Sequence, residues 1–282
     1  MQTKYQNNLE LILSYNSNQK TVCQHQYTTY PLRLSTPFYL EGEGTNRAYH
    51  YLINTSPGLL AGDELNLSLQ LEANTSLYLT DQAATKAHQM PEIDAKAIVN
   101  YQIKLGQNSC LELVPEPVIL YKDAALNQKT LIQIHPTARL FITEIVLPGR
   151  LAKDEYYNFK YYRNRLKVTD LSNKLLFIDA TMLEGQQNKF KHNKLFASLP
   201  IMGNAIAILP NIDLNLLITQ LNNLETARID NLETAITILP NQTGILIRAL
   251  SNKTIRIKQY FTQALNSIRA INNQSSLPHI PK

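Results

Sequence analysis

Three carboxylates at the ends of apolar segments are the residues in this sequence that best suit cation binding. Asp81, Glu116 and Glu144 each follow a short segment in which apolar residues alternate with others. If the segments lie side by side, their carboxylates line one side of the molecule. Oxygen ligands in a wet passage hold a divalent transition-metal ion weakly, because imidazole and thiolate are better donors. The alternative is that all three are ordinary solvated carboxylates near turns.

A second polar segment follows directly on an apolar strand pattern. Residues 80–86 read TDQAATK, and a core strand seldom carries so many polar side chains together. One interpretation is a solvated loop. The other is a polar surface that contacts water, a metal ion or a partner, formed by Thr80, Asp81, Gln82, Thr85 and Lys86.

A glycine-containing loop lies upstream, at residues 56–63. Pro57-Gly58 is a turn signal, and Gly58 and Gly62 tolerate positive φ angles. The segment is either a tight loop that leads into the next strand or a place where the backbone approaches a partner or a channel closely.

The motifs of common enzymes and tight metal sites are missing from the sequence. No Gly-Lys-Ser/Thr follows the glycine loop, and the chain has neither Gly-x-Ser-x-Gly nor His-Glu-x-x-His. The six histidines never occur at i, i+2 or i, i+4 spacing, and the two cysteines, Cys23 and Cys110, lie far apart. We therefore expect a protein that is not an enzyme, free thiols and no tightly bound cofactor.

Alternating apolar residues indicate that strands position these groups. Three windows, 69–82, 103–116 and 132–145, share the order strand, polar turn, strand, and they align without gaps at offsets of 34 and 29 residues. This recurrence favours layers of β-structure stacked on one another, although chance hairpins in a sandwich give a similar pattern. We predict an all-β fold, β-helical with stacked antiparallel strands.

Two segments in the C-terminal third depart from this alternation. Apolar residues recur every three or four positions in 213–227 and in 258–271, which predicts two amphipathic helices, the first with Asp213 as its N-cap. We predict a single domain over residues 1–272 and a flexible tail over 273–282.

Composition indicates a globular chain with a basic surface. Of 282 residues, 44% are hydrophobic and 17% charged, and the net charge of +5 suits either nucleic acid or an acidic protein surface. Residues 156–165 interleave aromatic and basic side chains, so a nucleic-acid-binding module is the alternative function. The sequence shows neither a signal peptide nor a membrane span, so we expect a cytoplasmic protein.

Several of these segments resemble motifs of one family, the UreD (UreH) urease accessory proteins. The similarity extends from about Tyr30 to Arg269, and the run Gln-Ala-Ala-Thr-Lys at 82–86 is its most specific part. The matching segments are Asn54–Asp63, Thr80–Lys86, Pro115–Tyr121, Glu144–Arg150, Arg163–Leu166, Leu175–Leu176 and Ile245–Arg248. Leu59 and Ala61 replace glycines of the family pattern, and His88 stands where the family often has an aromatic residue.

The resemblance implies a β-helical scaffold that helps to load nickel into apo-urease. It implies a complex with UreF, with the GTPase UreG bound through UreF, and with the urease subunits, in which nickel is in transit and not retained. It implies no role with nucleic acid or membranes. The residues that it suggests for a polar passage are Gly58, Gly62, Asp63, Thr80, Asp81, Gln82, Thr85, Lys86, His88, Glu116, Glu144 and Arg150. Transfer between sites requires binding weak enough for release.

Overall fold

A computed structural model describes residues 7–42, 45–185 and 192–281. Within these ranges the chain forms seventeen strands. In chain order they are β1 (Leu9–Tyr15), β2 (Thr21–Thr28), β3 (Leu32–Leu34), β4 (Ala48–Asn54), β5 (Glu64–Leu71), β6 (Ser76–Asp81), β7 (Thr85–Ala87), β8 (Ala97–Leu105), β9 (Cys110–Leu113), β10 (Val118–Leu120), β11 (Ala125–Ile134), β12 (Arg139–Leu147), β13 (Tyr161–Thr169), β14 (Leu175–Glu184), β15 (Ile201–Ile208), β16 (Leu232–Ile238) and β17 (Gly244–Ser251).

The strands form two sheets, between which the chain passes repeatedly. Sheet A has the order β14-β13-β11-β8-β5-β1-β2, and sheet B has the order β16-β17-β15-β12-β9-β6-β4-β3, with β7 and β10 joined to it through β12. From β5 to β13 the longer strands alternate between sheets A and B, as expected for residues whose alternating apolar side chains face a shared interior.

The register of these strands reproduces the alignment seen in the sequence. Leu69 of β5 pairs with Ile103 of β8, which pairs with Ile132 of β11, at the same offsets of 34 and 29 residues. The same offsets recur in sheet B, where Ser76 pairs with Cys110 and Cys110 with Arg139. The three windows are therefore neighbours in space.

The predicted fold class, all-β with stacked antiparallel strands, is wrong. Both sheets mix parallel and antiparallel pairs, and the central pairs β5–β8 and β8–β11 are parallel. Alternation with period two shows which face of a strand is buried but not the direction of its neighbour. Because the longer strands from β5 to β13 alternate between the sheets, the chain returns to its first sheet running the same way.

Three α-helices lie within the described ranges, which is the other reason why the all-β class does not hold. They are α1 (Lys194–Ser198), α2 (Leu214–Asn222) and α3 (Thr254–Ile271). The two predicted amphipathic helices correspond to α2 and α3, whereas α1 was not predicted. Asp213 caps α2 as expected, because its side chain accepts hydrogen bonds from the backbone N–H groups of Asn215 and Leu216.

Sheet B is the shared wall of two hydrophobic cores. The first core fills the space between the sheets, with Leu69, Leu111 and Ile132 among its members. The second lies between the other face of sheet B and helices α2 and α3, with Leu217 and Phe261 among its members. Strands β6 and β9 are consequently buried on both faces except at the last residue of β6.

The C-terminal segment lies against the body of the protein. Leu277 and Ile280 pack on the second core, and the Tyr51 hydroxyl donates a hydrogen bond to the carbonyl of Pro281. The flexibility predicted for residues 273–282 and the single domain predicted for 1–272 remain predictions. Cys23 and Cys110 are free thiols, as expected. In the described ranges, every helix is too short or too polar to cross a membrane.

Candidate functional site

A cavity of about 80 Å³ lies between the two sheets and contains four of the predicted site residues. One water needs roughly 15 Å³, so the cavity has room for several. Asp81, Thr85, Glu116 and Glu144 line it together with apolar side chains and further polar ones. The polar residues added by the structure are Asn54, Tyr101, Gln128, Thr130 and Thr143.

Glu144 is the cavity carboxylate with hydrogen-bond donors from several strands. Its oxygen Oε1 accepts hydrogen bonds from the Tyr162 hydroxyl, from Asn164 Nδ2 at 2.7 Å and from Gln128 Nε2 at 3.2 Å, and Oε2 accepts one from Asn204 Nδ2 at 3.4 Å. Burial raises the pKa of Glu144, and these donors oppose the shift only in part. Strands β11, β12, β13 and β15 thus converge on one carboxyl group.

Asp81 is the last residue of β6, and Glu116 follows the end of β9; both line the cavity. The backbone N–H of Glu116 donates to Asp81 Oδ2 at 3.1 Å, and the Glu116 carboxylate forms an ion pair with Lys258 of α3. Burial lowers the pKa of Lys258. Burial also raises the pKa of Tyr101, with a smaller contribution from the charge of Asp81, so this phenol stays neutral.

A larger groove of about 410 Å³ adjoins the cavity on the side of α3. Thr80, Lys258 and His279 belong to the groove, whereas Pro115, Glu116, Thr143 and Ile145 line both the groove and the cavity. The cavity and the groove therefore lie on the two sides of the same two stretches of chain, one with Glu116 and one with Thr143.

Asp63 and Gly62 lie elsewhere, in a separate groove with Asp94 and Lys96. Asp63 Oδ2 accepts a hydrogen bond from the backbone N–H of Leu60 at 2.7 Å, which closes a local turn. Gln82 and Lys86 are exposed on the loop after β6 and in β7.

His88 and Arg150 meet in a cluster of their own around Tyr121. The His88 ring meets the edge of Tyr121 at 5.0 Å between centroids and bonds through Nε2 to the carbonyl of Pro57 at 3.1 Å. The Arg150 guanidinium lies 4.7 Å above the Tyr121 ring and forms an ion pair with Glu155 at 2.5 Å. The hydrogen bond from Arg150 lowers the pKa of Glu155. This cluster does not line the cavity.

Sequence reasoning missed a buried network of four charges. Glu41 and Glu112 alternate with Arg47 and Arg269, joined by four ion pairs of 2.5–3.1 Å between side chains that are at most 6% exposed. The Tyr49 hydroxyl bonds to Glu41 and accepts from Arg269. Arg269 lies four residues after Leu265 on the apolar face of α3. A charged residue at an apolar position was the feature of the sequence that could have indicated a buried ion pair.

The described residues contain no group of three or more His, Cys, Asp or Glu side chains arranged to hold a metal ion. Asp81, Glu116 and Glu144 all line the cavity, and Glu116 also lines the groove. Such carboxylates suit successive weak contacts with a cation better than one tight site.

The aromatic residues of the segment 156–165 serve packing. Tyr157, Phe159 and Tyr162 are at most 3% exposed, so their faces are not available for stacking on bases. The interpretation of this segment as a nucleic-acid site thus loses three of its five aromatic side chains, since only Tyr156 and Tyr161 are partly exposed.

Two mixed sheets, a helical cover on one of them and an acidic cavity within the apolar core between them define a mixed α/β protein. A family model described as UreD urease accessory protein matches residues 7–282. The chain belongs to this family.

Named relatives agree with the family assignment. The chain is 53% identical to the urease accessory protein UreD of Trichodesmium erythraeum over 276 residues, which cover 98% of this chain and 99% of the relative. It is 29% identical to the UreD of Bacillus cereus, with 89% of each chain covered. It is 27% identical to the UreD of Actinobacillus pleuropneumoniae, with 95% and 99% covered. All three are named as accessory proteins, not as enzymes.

Proposed function

We propose that this protein is a non-catalytic cytoplasmic scaffold through which nickel passes to apo-urease, in a complex with UreF and the GTPase UreG. The membership in the UreD family supports a role in urease maturation. The nickel route and the named partners are our proposal.

The observation that carries the proposal is the acidic cavity between the sheets, which shares the lining residue Glu116 with the groove beside α3. Asp81, Glu116 and Glu144 offer oxygen ligands along the proposed route, and Thr130, Thr143 and Gln128 add neutral oxygens. An ion that meets mainly oxygens is held weakly enough to move on. The ammonium group of Lys258 neutralises Glu116, which lowers the affinity of this carboxylate for a cation further.

Activation of purified apo-urease by nickel, GTP, UreF and UreG tests the proposal. We expect Asp81→Asn to slow activation about ten-fold, because one lost charge contact of roughly 1.4 kcal/mol changes a rate by that factor. Co-purification of the complex should be unchanged, since Asp81 lines the cavity.

Glu72→Gln is the matched control, because Glu72 is exposed and outside the cavity, and its carboxylate accepts a hydrogen bond from the nearby Gln70. Full activation without this chain contradicts the scaffold role. Normal activation by Asp81→Asn combined with Glu144→Gln contradicts the route alone.

A further inference from the structure

The outward face of sheet A bears a cluster of cations, whereas the outward face of sheet B is covered by helices. Lys129 of β11 and Arg165 of β13 are direct neighbours in the parallel register. Arg163 and Lys167 flank Arg165 on the same face of β13. We call these four residues the basic patch.

The basic patch lacks internal neutralisation. Within the described residues none of its four cations forms an ion pair with a carboxylate. Glu184 lies opposite Tyr161 at the end of β13, and Asp170 is engaged by backbone N–H groups of its own turn, from Ser172 and Lys174. Like charges on adjacent strands destabilise a sheet, so an acidic ligand would reduce the electrostatic repulsion among the four cations.

Exposed apolar side chains border the basic patch on β14. Ile178 lies opposite Lys167, and Met182 lies opposite Arg163. They are 40% and 47% exposed, respectively. Arg163 is held in place, since its Nε donates to Met182 Sδ at 3.1 Å and its guanidinium lies 4.8 Å from the centre of the Tyr161 ring. A surface of fixed arginine, methionine and isoleucine is typical of protein interfaces.

We propose that the basic patch, with Ile178 and Met182, docks an acidic and partly apolar surface of a partner protein. Charge complementarity selects an acidic partner. The apolar border favours a protein over nucleic acid, and so does the burial of Tyr157, Phe159 and Tyr162, which leaves few faces for base stacking. This proposal does not depend on the nickel route.

Binding of the full-length chain to purified UreF and to purified apo-urease, measured separately at low and moderate salt, tests the docking surface. The choice of these two proteins rests on the proposed function. We expect Lys129→Glu combined with Arg165→Glu to weaken binding to one of them by about ten-fold or more, with the loss shrinking as salt rises.

Lys20→Glu combined with Lys253→Glu is the matched control, because both lysines lie far from the basic patch in sequence and outside sheet A's β11 and β13. It should bind as the native chain does. Ile178→Ser tests the apolar border, and circular dichroism verifies the fold of each variant.

Three results overturn the docking proposal. The first is equal binding of the native and patch-reversed chains to both proteins. The second is that the native chain binds neither protein. The third is that the charge reversal weakens binding to a thymidine 20-mer or to a second copy of this chain, but to neither of the two proteins. Failure of the nickel route gives a different result: an Asp81→Asn chain would then bind its partner proteins normally and would also activate urease normally.

Discussion

At the scale of single residues, the cavity carboxylates differ in how far the sequence predicts them. Asp81, Glu116 and Glu144 reach one cavity because their windows are in register, and the alternation with period two suggested that register. Asp63 and His88 lie in other clusters, because loop contacts place them and loop geometry has no periodic signal. The donors that surround Glu144 come from three strands other than its own, and one sequence alone does not show such convergence.

Glu144 makes the stability of the protein depend on pH. Its pKa is higher in the folded chain than the ordinary value near 4.5, so folding favours its protonated form. The stabilisation that it contributes is complete below that ordinary value and is lost as pH rises through the raised pKa. We therefore expect the free energy of unfolding of the native chain, relative to Glu144→Gln, to fall with rising pH above about 4.5.

Urea unfolding over a pH series measures this difference. Asp170→Asn provides a control of opposite sign, because hydrogen bonds from Ser172 lower the pKa of Asp170, and its stabilisation is lost as pH falls. If the free energy of unfolding of the native chain, minus that of Glu144→Gln, rises with pH, the raised pKa of Glu144 is contradicted.

Gly58 and Gly62 provide a matched pair for the loop before β5. A Cβ atom on Gly58, whose φ is +151°, would lie 2.3 Å from the carbonyl oxygen of Lys86, whereas one on Gly62, whose φ is +84°, meets nothing within 4 Å. We expect Gly58→Ala to cost about 2–4 kcal/mol through strain and overlap, and Gly62→Ala about 1–2 kcal/mol through φ alone. Thermal unfolding ranks the two variants, and equal losses would exclude the close approach.

At the scale of elements, strand positions follow from the sequence but strand directions do not. The alternation located the longer strands, and the spacing of three or four located α2 and α3. Chain direction depends on which sheet receives the next strand, and this is decided by packing across about 10 Å of shared core. Short elements such as α1 and β7 have too few residues for a period to appear.

The buried network of four charges holds helix α3 against sheet B, so loss of one of its arginines should destabilise the protein. Arg269→Met leaves Glu41 and Glu112 with one guanidinium, that of Arg47, in a buried site. We expect a loss of about 3–5 kcal/mol in the free energy of unfolding, because an uncompensated charge stays buried.

Urea unfolding measures this loss, and a double variant supplies the control. Arg269→Met combined with Glu112→Leu removes one charge of each sign, so its cost should be less than the sum of the two single costs. Additive costs would show that the ion pairs between Arg269 and Glu112 do not couple these residues.

At the scale of the whole molecule, sheet B belongs to both cores, and neither core persists without it. We therefore expect one cooperative unfolding transition for the described body, despite a size at which intermediates are common. Far-ultraviolet circular dichroism reports the sheets, and near-ultraviolet signals report buried tyrosines such as Tyr49 and Tyr162. Their midpoints should coincide, and two separated midpoints would indicate separate domains.

The network of four charges also makes folding depend on the order of synthesis. Glu41, Arg47 and Glu112 emerge early, two carboxylates against one guanidinium, and the balancing cation arrives only with residue 269. Until then this site carries one excess negative charge that resists removal from water. We therefore expect a truncated chain that lacks Arg269 to keep this site hydrated and to leave exposed the face of sheet B that α3 covers.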